Sequence, residues 1–288
     1  MTLSWAQALN RFELYLKESG LAQNTVASYR LDVRSFVNWL QQAECSSTPD
    51  TFSSLDVAAY KLYLQEAVAR PPASINRVMQ SLRKFGRFLQ AMGLQQDNPA
   101  QKVPLLALSS PSTIRVLTQE QVQHLMEIAE APNSRNAARD LVVLHLLLRA
   151  GLRAREITLL QMDDLQLGQQ RALLTIRQQG RTAARTIPLS RATQAALQDF
   201  LDQRRPSEPG CPYLLFGRDG GPLSIRSVQQ SVANLGKAAR LDLTAKSLRD
   251  FYARELWKRT GDFDLLVQRL GIRRPETAVK YITARTMA

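Results

Sequence analysis

The chain has 288 residues, enough for two domains of roughly 150 residues each. With 44% hydrophobic residues, 22% charged residues and 13 each of glycine and proline, its composition excludes a disordered, collagenous or low-complexity protein. Its 38 basic and 25 acidic residues give a net charge of +13, carried mostly after residue 100, which favours a polyanionic partner such as nucleic acid over an acidic protein.

The first domain is predicted to be helical, because its apolar residues recur at three- and four-residue spacing. They form four groups: Leu9, Phe12, Leu16; Val33, Phe36, Val37, Leu40; Leu55, Ala58, Leu62; and Ile75, Val78, Leu82, Phe85, Leu89. Turn-forming residues separate the groups, at Gly20, at Ser46 to Pro49 and at Pro71-Pro72. The pattern indicates four helices within residues 1–98.

Residues 99–117 are predicted to form an interdomain linker. They contain Pro99, Pro104 and Pro111 and a Ser-Ser-Pro-Ser run, a composition that interrupts both helix and sheet. The next helix begins clearly, because Thr118 and Gln121 have the spacing of a capping box. A second domain is therefore expected over residues 118–288.

The second domain is predicted to be mainly helical with a small antiparallel sheet. Residues 141–148 are almost continuously apolar and fit a buried helix. Residues 172–176 and 185–189 read as the two strands of a hairpin, and several helices follow. The fold class of the whole chain is therefore mainly α, with a minor α+β component in the second domain.

The sequence predicts neither a metal site nor a cofactor. Cys45 and Cys211 lie far apart without zinc-type spacing, and the chain has only two histidines. The N-terminus lacks a basic segment followed by an apolar core, and no stretch reaches the ~18 apolar residues of a membrane span. We therefore expect a metal-free protein of the reducing cytoplasm, with no membrane partner.

Four stretches of the second domain stand out: AGLRAREITLL (150–160), TIRQQGRTAARTIPL (175–189), TAKSLRDFYAREL (244–256) and LLVQRLGIRRPETAVKYI (265–282). Their order and spacing resemble the tyrosine recombinases, the phage integrase and Xer-type family. Residues 21–40 and 75–89 are similar to that family's N-terminal core-binding domain. The resemblance thus covers nearly the whole chain and implies a helical core-binding domain followed by a catalytic domain.

The resemblance implies a site-specific recombinase that cleaves and rejoins DNA strands through a 3′-phosphotyrosyl bond. It places the catalytic arginines at Arg153 and Arg249, an acidic neighbour at Glu156 and the nucleophile at Tyr281, ten residues after Gly271. Because the phosphotyrosine conserves the bond energy, the family needs neither ATP nor a metal. Strand exchange takes place in a homo- or hetero-tetramer on two double-stranded recombination sites.

The chemistry of phosphoryl transfer suits these residue types. A phosphodiester under attack by a phenol gains negative charge on its non-bridging oxygens, and permanently charged guanidinium groups bind such oxygens bidentately. Lys246, where the family more often has histidine, lies three residues before Arg249 and would face the same phosphate on a helix. Lysine also resembles the residue of type IB topoisomerases at this position.

Three positions depart from the family pattern. The hairpin turn lacks the usual catalytic lysine that protonates the leaving 5′ oxygen, and Gln179 or Arg181 occupies its place. Ile272 stands where the family has histidine or tryptophan, and Asp250 replaces a frequent histidine beside Arg249. General acid catalysis contributes about 10²–10⁴-fold, so we expect slow cleavage.

These departures leave two other functions open. One is a catalytically weak or inactive DNA-binding accessory paralogue, which the missing hairpin lysine and Ile272 favour. The other is a type IB topoisomerase, which the Xer-like N-terminal domain disfavours. The sequence does not choose among chromosome dimer resolution, phage integration and movement of a transposon or other mobile element.

Basic and polar residues on the predicted helices are candidate DNA contacts. Those expected to bind backbone phosphates are Arg30, Arg34, Arg83, Lys84, Arg87, Arg226, Ser227 and Lys237, and those expected to reach bases are Asn24, Thr25, Asn76 and Arg77. The resemblance implies that the two domains clamp duplex DNA at the nucleoid. Only seven residues follow Tyr281, where Xer-like relatives continue into a docking helix, so we expect monomers off DNA.

Overall fold

A computed structural model describes residues 3–108, 117–131, 136–169, 171–178, 182–203, 210–217 and 219–283. The chain forms two compact units, Met1–Ser112 and Thr113–Ala288. In the described ranges, no helix is both long and apolar enough to cross a membrane. The mainly helical class with a small antiparallel sheet, predicted from the sequence, is confirmed.

The described part of the N-terminal unit contains the four predicted α-helices: α1 Trp5–Glu18, α2 Gln23–Gln42, α3 Ser54–Glu66 and α4 Pro72–Ala91. Ser4 and Ser53 begin α1 and α3 with capping boxes, and Pro72 occupies the first turn of α4, where its missing N–H costs nothing. Interlocking aromatic rings fill the core, among them Phe12, Phe36, Tyr60, Phe85 and Phe88.

The buried face of α3 differs from the predicted one. Leu55 and Leu62 are exposed, whereas Val57, Tyr60 and Leu64 are buried. The sequence of α3 is apolar on both sides, so hydrophobic spacing alone does not select its buried face. Packing against α2 and α4 makes the choice.

The predicted start of the linker at residue 99 is wrong, because residues 99–106 belong to the N-terminal unit. Pro99–Gln101 forms a 3₁₀ turn with Ala100 buried, and Arg83 donates hydrogen bonds to the carbonyl oxygens of Ala100 and Val103 at 3.2 and 2.8 Å. Asn76 bonds both backbone polar groups of Leu106. Prolines break the helix here, but these side chains satisfy the backbone and allow it to pack. Residues 109–116 lie outside the described part.

The helices of the C-terminal unit pack around one central helix, α6 Ala137–Leu148. The described helices of this unit are α5 Gln119–Glu130, α6 Ala137–Leu148, α7 Ala154–Thr158, α8 Arg191–Gln203, α9 Ile225–Ala238, α10 Ala245–Thr260, α11 Phe263–Leu270 and α12 Val279–Thr283. Thr118 caps α5 with the predicted capping box. Helix α6 contacts α5, α8, α9 and α10, which explains why residues 142–148, apolar except for His145, are all buried.

The sheet of the C-terminal unit is a three-stranded antiparallel meander of β1 Leu165–Leu167, β2 Ala172–Ile176 and β3 Arg185–Leu189. The hairpin of β2 and β3 has the predicted bounds, with Ile176 opposite Arg185 and Leu174 opposite Ile187. Strand β1 was not predicted, since three residues are too few for an alternating pattern. The first residue of β3, Arg185, is buried on the same face as Ile187.

Candidate active site

The predicted catalytic residues converge where α7, β3, α10 and α11 meet. Arg153 is the N-cap residue of α7, and Glu156 lies three residues later, so that its carboxylate accepts a hydrogen bond from the Arg153 backbone N–H at 2.8 Å. The Arg153 guanidinium donates to the same carboxylate at 3.0 Å. The local sequence LRARE thus fixes both side chains through one helix cap.

Glu156 is the anionic centre of the site and is only 2% exposed. Arg185 donates two parallel hydrogen bonds to it at 3.0 and 2.9 Å, and the Arg249 guanidinium lies 3.7 Å away. Burial raises the pKa of Glu156, but the hydrogen bonds and charge of Arg185, with help from Arg153 and Arg249, lower that pKa below its ordinary value. Glu156 is therefore an ionised carboxylate that holds three guanidinium groups of the described residues together.

Arg249 is buried and held at both ends of its guanidinium group. It donates to the carbonyl oxygen of Gly151 and, at 2.6 Å, to that of Leu270. Burial, together with the charge of Arg153, lowers the pKa of Arg249 to about 10, so it stays charged at neutral pH. Arg153 also donates to Leu270 O, at 3.4 Å, and to Thr182 Oγ1, at 3.1 Å. The two predicted catalytic arginines thus share one carbonyl oxygen.

Two glycines with positive φ allow this close approach. Gly271 ends α11 at φ +58°, and a Cβ there would lie 2.5 Å from Arg185 Nη1. Gly151 has φ +66°, and a Cβ there would overlap the ring of Tyr252. Left-handed backbone conformations favour glycine, so both positions require this residue.

Tyr281 lies on α12, which packs against α10, and it is 6% exposed. Burial raises the pKa of its phenol, as does the charge of Asp250, while Arg249 and Lys246 act to lower it. The Lys280 ammonium group lies 4.6 Å from the centre of the Tyr281 ring. The structure therefore brings Tyr281 into the same neighbourhood as Arg249.

Lys246 forms an ion pair with Asp250 at 2.6 Å, one helical turn apart on α10. The Lys246 side chain is 66% exposed, whereas that of Asp250 is only 3% exposed. The charged end of Lys246 is thus bound to a carboxylate.

Of the three positions that depart from the family pattern in the sequence, the structure describes Ile272 and Asp250 but not the hairpin turn. Gln179 and Arg181 lie outside the described residues. Ile272 pairs with Thr182 through an isolated antiparallel β-bridge and packs against the apolar cluster that contains Leu266, Leu270 and Tyr281. An aliphatic side chain makes that contact but donates no hydrogen bond.

Several predicted DNA contacts of the N-terminal unit are engaged within the chain. Both amide atoms of Asn76 bond Leu106, and Arg83 bonds two carbonyl oxygens, so in this structure both side chains hold residues 99–106, and their DNA contacts stay predictions. Arg77 forms a bidentate pair with Asp32, at 2.5 and 2.9 Å. These groups satisfy buried or half-buried polar atoms, which hydrophobic spacing does not reveal.

The other candidates lie where a duplex could reach them. Arg30 pairs with Glu13 at 3.0 Å, and Lys84 lies 5.1 Å from the ring centre of Tyr15. The side chains of Asn24, Arg34, Arg87, Arg226 and Lys237 are exposed, and those of Thr25 and Ser227 are half-buried. Exposure allows contact with DNA but does not by itself assign it.

Arg185 is the functional-site residue that the sequence analysis missed. It connects β3 to α11 by donating to the carbonyl oxygen of Arg269 at 2.8 Å, as well as to Glu156. The sequence did contain a sign of this buried role, because Arg185 alternates in phase with Ile187 and Leu189 and so lies on the inward face of the predicted strand. A charged residue at an inward position needs a buried partner.

Replacing Arg185 with methionine should lower the free energy of unfolding by about 3–5 kcal/mol, because it leaves Glu156 buried with reduced compensation. Urea unfolding followed by circular dichroism measures this change. Arg226→Met is the matched control, since Arg226 is exposed, and it should change stability by less than about 0.5 kcal/mol. A loss below about 1 kcal/mol for Arg185→Met would contradict a central structural role for the pair.

The sequence and fold were compared with known proteins. Residues 115–287 match the Phage integrase family, and residues 9–93 match the phage integrase N-terminal SAM-like domain. The chain is 29% identical over 277 residues to a tyrosine recombinase XerC of Herpetosiphon aurantiacus, covering 92% of this chain and 86% of the relative. It is 26% identical over 262 residues to a XerD of Listeria innocua, covering 88% and 86%.

Solved structures share the fold. A lambda integrase dimer bound to a COC′ core site has a TM-score of 0.76 at 18% identity, covering 100% of this chain and 79% of that one. The XerH site-specific recombinase bound to its difH substrate has a TM-score of 0.75 at 17% identity, covering 97% and 81%. Identities this low show a common fold for the chain.

Proposed function

The chain belongs to the phage integrase family of tyrosine recombinases, which makes it a site-specific DNA strand-transfer enzyme, and we propose that Tyr281 is its nucleophile. The family match and the Xer relatives favour this function over a type IB topoisomerase and over a non-enzymatic accessory protein. The observation that carries the residue assignment is the convergence of Arg153 and Arg249 on Glu156 and the Leu270 carbonyl oxygen, with Tyr281 packed in the same apolar cluster as Leu270.

In the proposed reaction, Tyr281 Oη attacks a backbone phosphorus atom. The oxygen–phosphorus bond forms as the bond from phosphorus to the 5′ oxygen breaks, which leaves a 3′-phosphotyrosyl bond and a free 5′ hydroxyl. The 5′ hydroxyl of a partner strand then attacks the phosphotyrosine and restores a phosphodiester. Each step exchanges one ester bond to phosphorus for another, so the strand exchange needs no external energy source.

Arg153 and Arg249 are proposed to bind the non-bridging oxygens of that phosphate. The side chain of Arg153 is 39% exposed, so part of its guanidinium group can accept a ligand. Arg249 is fixed by two carbonyl oxygens, which keeps its charge oriented without reorganisation during the reaction. Lys246, exposed at its end, would donate a further hydrogen bond to the phosphate.

We propose that cleavage is slow, because the chain lacks the hairpin lysine as a general acid. Gln179 is not a proton donor of suitable acidity, and a guanidinium group such as that of Arg181 holds its proton too tightly to be a good one. Ile272 donates no hydrogen bond to the phosphate either. The rate should therefore lie below that of a recombinase with a complete set, by up to about 10²–10⁴-fold.

The direct test of the proposed function is covalent capture. A DNA site is first selected by the protein from random or genomic fragments, and a nicked duplex of that site is then offered as a substrate that traps the cleaved strand. A covalent protein–DNA complex on a denaturing gel supports the proposal. Its absence at long times, with specific binding intact, would indicate a binding protein.

On DNA, the protein is proposed to assemble as a tetramer of identical subunits or of two related ones, because exchange between two duplex sites requires four cleavages. Off DNA it is proposed to be a monomer. In the cell, the protein is proposed to be associated with the nucleoid. The exposed basic side chains Arg34, Arg87, Arg226 and Lys237, with Arg30 and Lys84, are proposed to contact backbone phosphates.

Binding should weaken steeply with salt, because a protein of net charge +13 displaces counterions from DNA. The slope of log K against log salt is about −0.9 per neutralised phosphate. Replacing Arg226 with glutamine should reduce the magnitude of that slope by about one unit, and Arg226→Lys should retain it. Fluorescence anisotropy at several salt concentrations measures both. A nearly flat response of the wild-type protein would contradict phosphate-dominated binding.

A further inference from the structure

Asp250 is a buried acid beside Arg249 to which the recombination chemistry above gives no task. The residue is 2% exposed, and its Oδ2 atom accepts a hydrogen bond from Lys246 at 2.6 Å. Its Oδ1 atom is buried and has no hydrogen-bond partner among the described residues. A buried carboxylate oxygen without a good partner is costly, so it calls for a functional explanation.

Helix α12 brings the reacting phenol to this carboxylate. Tyr281 is buried against α10, where it packs in one apolar cluster with Ala253, three residues after Asp250 on the same helix. After the larger effect of burial, the charge of Asp250 raises the pKa of the phenol. Among the described residues, the other charged groups recorded around Tyr281 are the cations Lys246 and Arg249 on α10 and Lys280 on α12, and Arg153 acts on Lys280. Asp250 therefore lies near Tyr281, and its Oδ1 atom can accept a hydrogen bond.

A buried phenol of this kind presents a chemical problem. Because burial and Asp250 raise its pKa, Tyr281 is protonated at neutral pH and is a weak nucleophile. Its proton must leave as the bond to phosphorus forms. Of the three charged side chains that shift the pKa of Tyr281, Arg249 and Lys246 have no acceptor when charged, and only Asp250 has one.

We propose that Asp250 is the general base that accepts the phenolic proton of Tyr281 during cleavage. The assignment rests on the proposed role of Tyr281 as nucleophile. As the Oη–P bond forms, the proton moves to the Asp250 carboxylate, and the P–O5′ bond breaks with its electron pair on O5′, which takes a proton from water. In the rejoining step, Asp250 returns the proton to the departing phenolate. Lys246 is a positioning residue that holds the carboxylate by its 2.6 Å ion pair.

Asp250→Asn tests the proposal, since it keeps the shape of the side chain and removes its basicity. Cleavage of the nicked substrate at neutral pH should fall by about 10²–10⁴-fold, with DNA affinity unchanged. The rate of the variant should then rise by nearly tenfold per pH unit in alkaline solution, where phenolate forms without a base, whereas the wild-type rate should rise less. Glu255→Gln replaces a half-buried acid on the same helix, paired with Lys258 and Gln119, and is the matched control that should leave the rate unchanged.

A second variant covers the case in which Asp250→Asn does not fold. Asp250→His supplies an imidazole acceptor, which takes up a proton at higher pH than a carboxylate. Its cleavage should lose activity on acidification at a higher pH than the wild type, because protonation removes the base. An acid limb at the wild-type position would overturn the proposal.

The outcomes separate this inference from the assignment of Tyr281. If the wild type cleaves, Tyr281→Phe does not, and Asp250→Asn cleaves as fast as the wild type or faster, then Asp250 is not the base and the nucleophile assignment stands. If the wild type forms no covalent complex at any pH, the nucleophile assignment fails and the role of Asp250 fails with it.

Discussion

Replacing Tyr281 with phenylalanine is expected to abolish the covalent protein–DNA complex, because the variant lacks the attacking oxygen. Specific DNA binding should remain nearly intact. The ring packs with Ala253, Leu256 and Leu270 in a small apolar cluster, and phenylalanine preserves those contacts. Removal of the hydroxyl leaves Arg153 and Arg249 in place.

The measurement uses nicked DNA resolved on a denaturing gel, with binding measured separately by mobility shift. Tyr252→Phe is the matched control, since Tyr252 is a half-buried tyrosine of the same unit, whose pKa, like that of Tyr281, is raised chiefly by burial. It should retain the covalent complex. An adduct formed by Tyr281→Phe would show that another residue is the nucleophile.

A substrate with sulfur in place of the bridging 5′ oxygen should be cleaved about 10²–10⁴-fold faster than normal DNA. A thiolate leaves without protonation, whereas an alkoxide needs an acid. The hairpin turn supplies Gln179 and Arg181 in place of lysine, so the enzyme should gain the full benefit of the better leaving group. Single-turnover rates on the two substrates give the ratio directly.

Gln179→Lys extends this experiment, because it restores a titratable donor to the turn. The variant should cleave normal DNA faster than the wild type and show a smaller preference for the sulfur substrate. If Arg181, or a lysine such as Lys280, protonates the 5′ oxygen, the wild type should show little preference for the sulfur substrate. Replacing that residue should then create the preference. Equal rates on both substrates, with Gln179→Lys neutral, would mean that an acid is present elsewhere.

Local sequence determined the helices, the hairpin and the caps, because these depend on neighbours within a few residues. The capping box at Thr118 and the strands Ala172–Ile176 and Arg185–Leu189 follow from spacing alone, as does the break at Pro72. The motif order also placed Arg153, Arg249 and Tyr281, which the structure brings together.

Tertiary structure alone decided which polar groups pair, because those pairs join residues far apart in the chain. Arg153 reaches the carbonyl oxygen of Leu270 across 117 positions, and Arg185 reaches Glu156 across 29. The spacing of α3 did not identify its buried face, and the prolines after residue 98 did not reveal that Asn76 and Arg83 hold the following segment. A sequence pattern records periodicity and residue type, whereas a buried charge finds its partner only when distant elements pack.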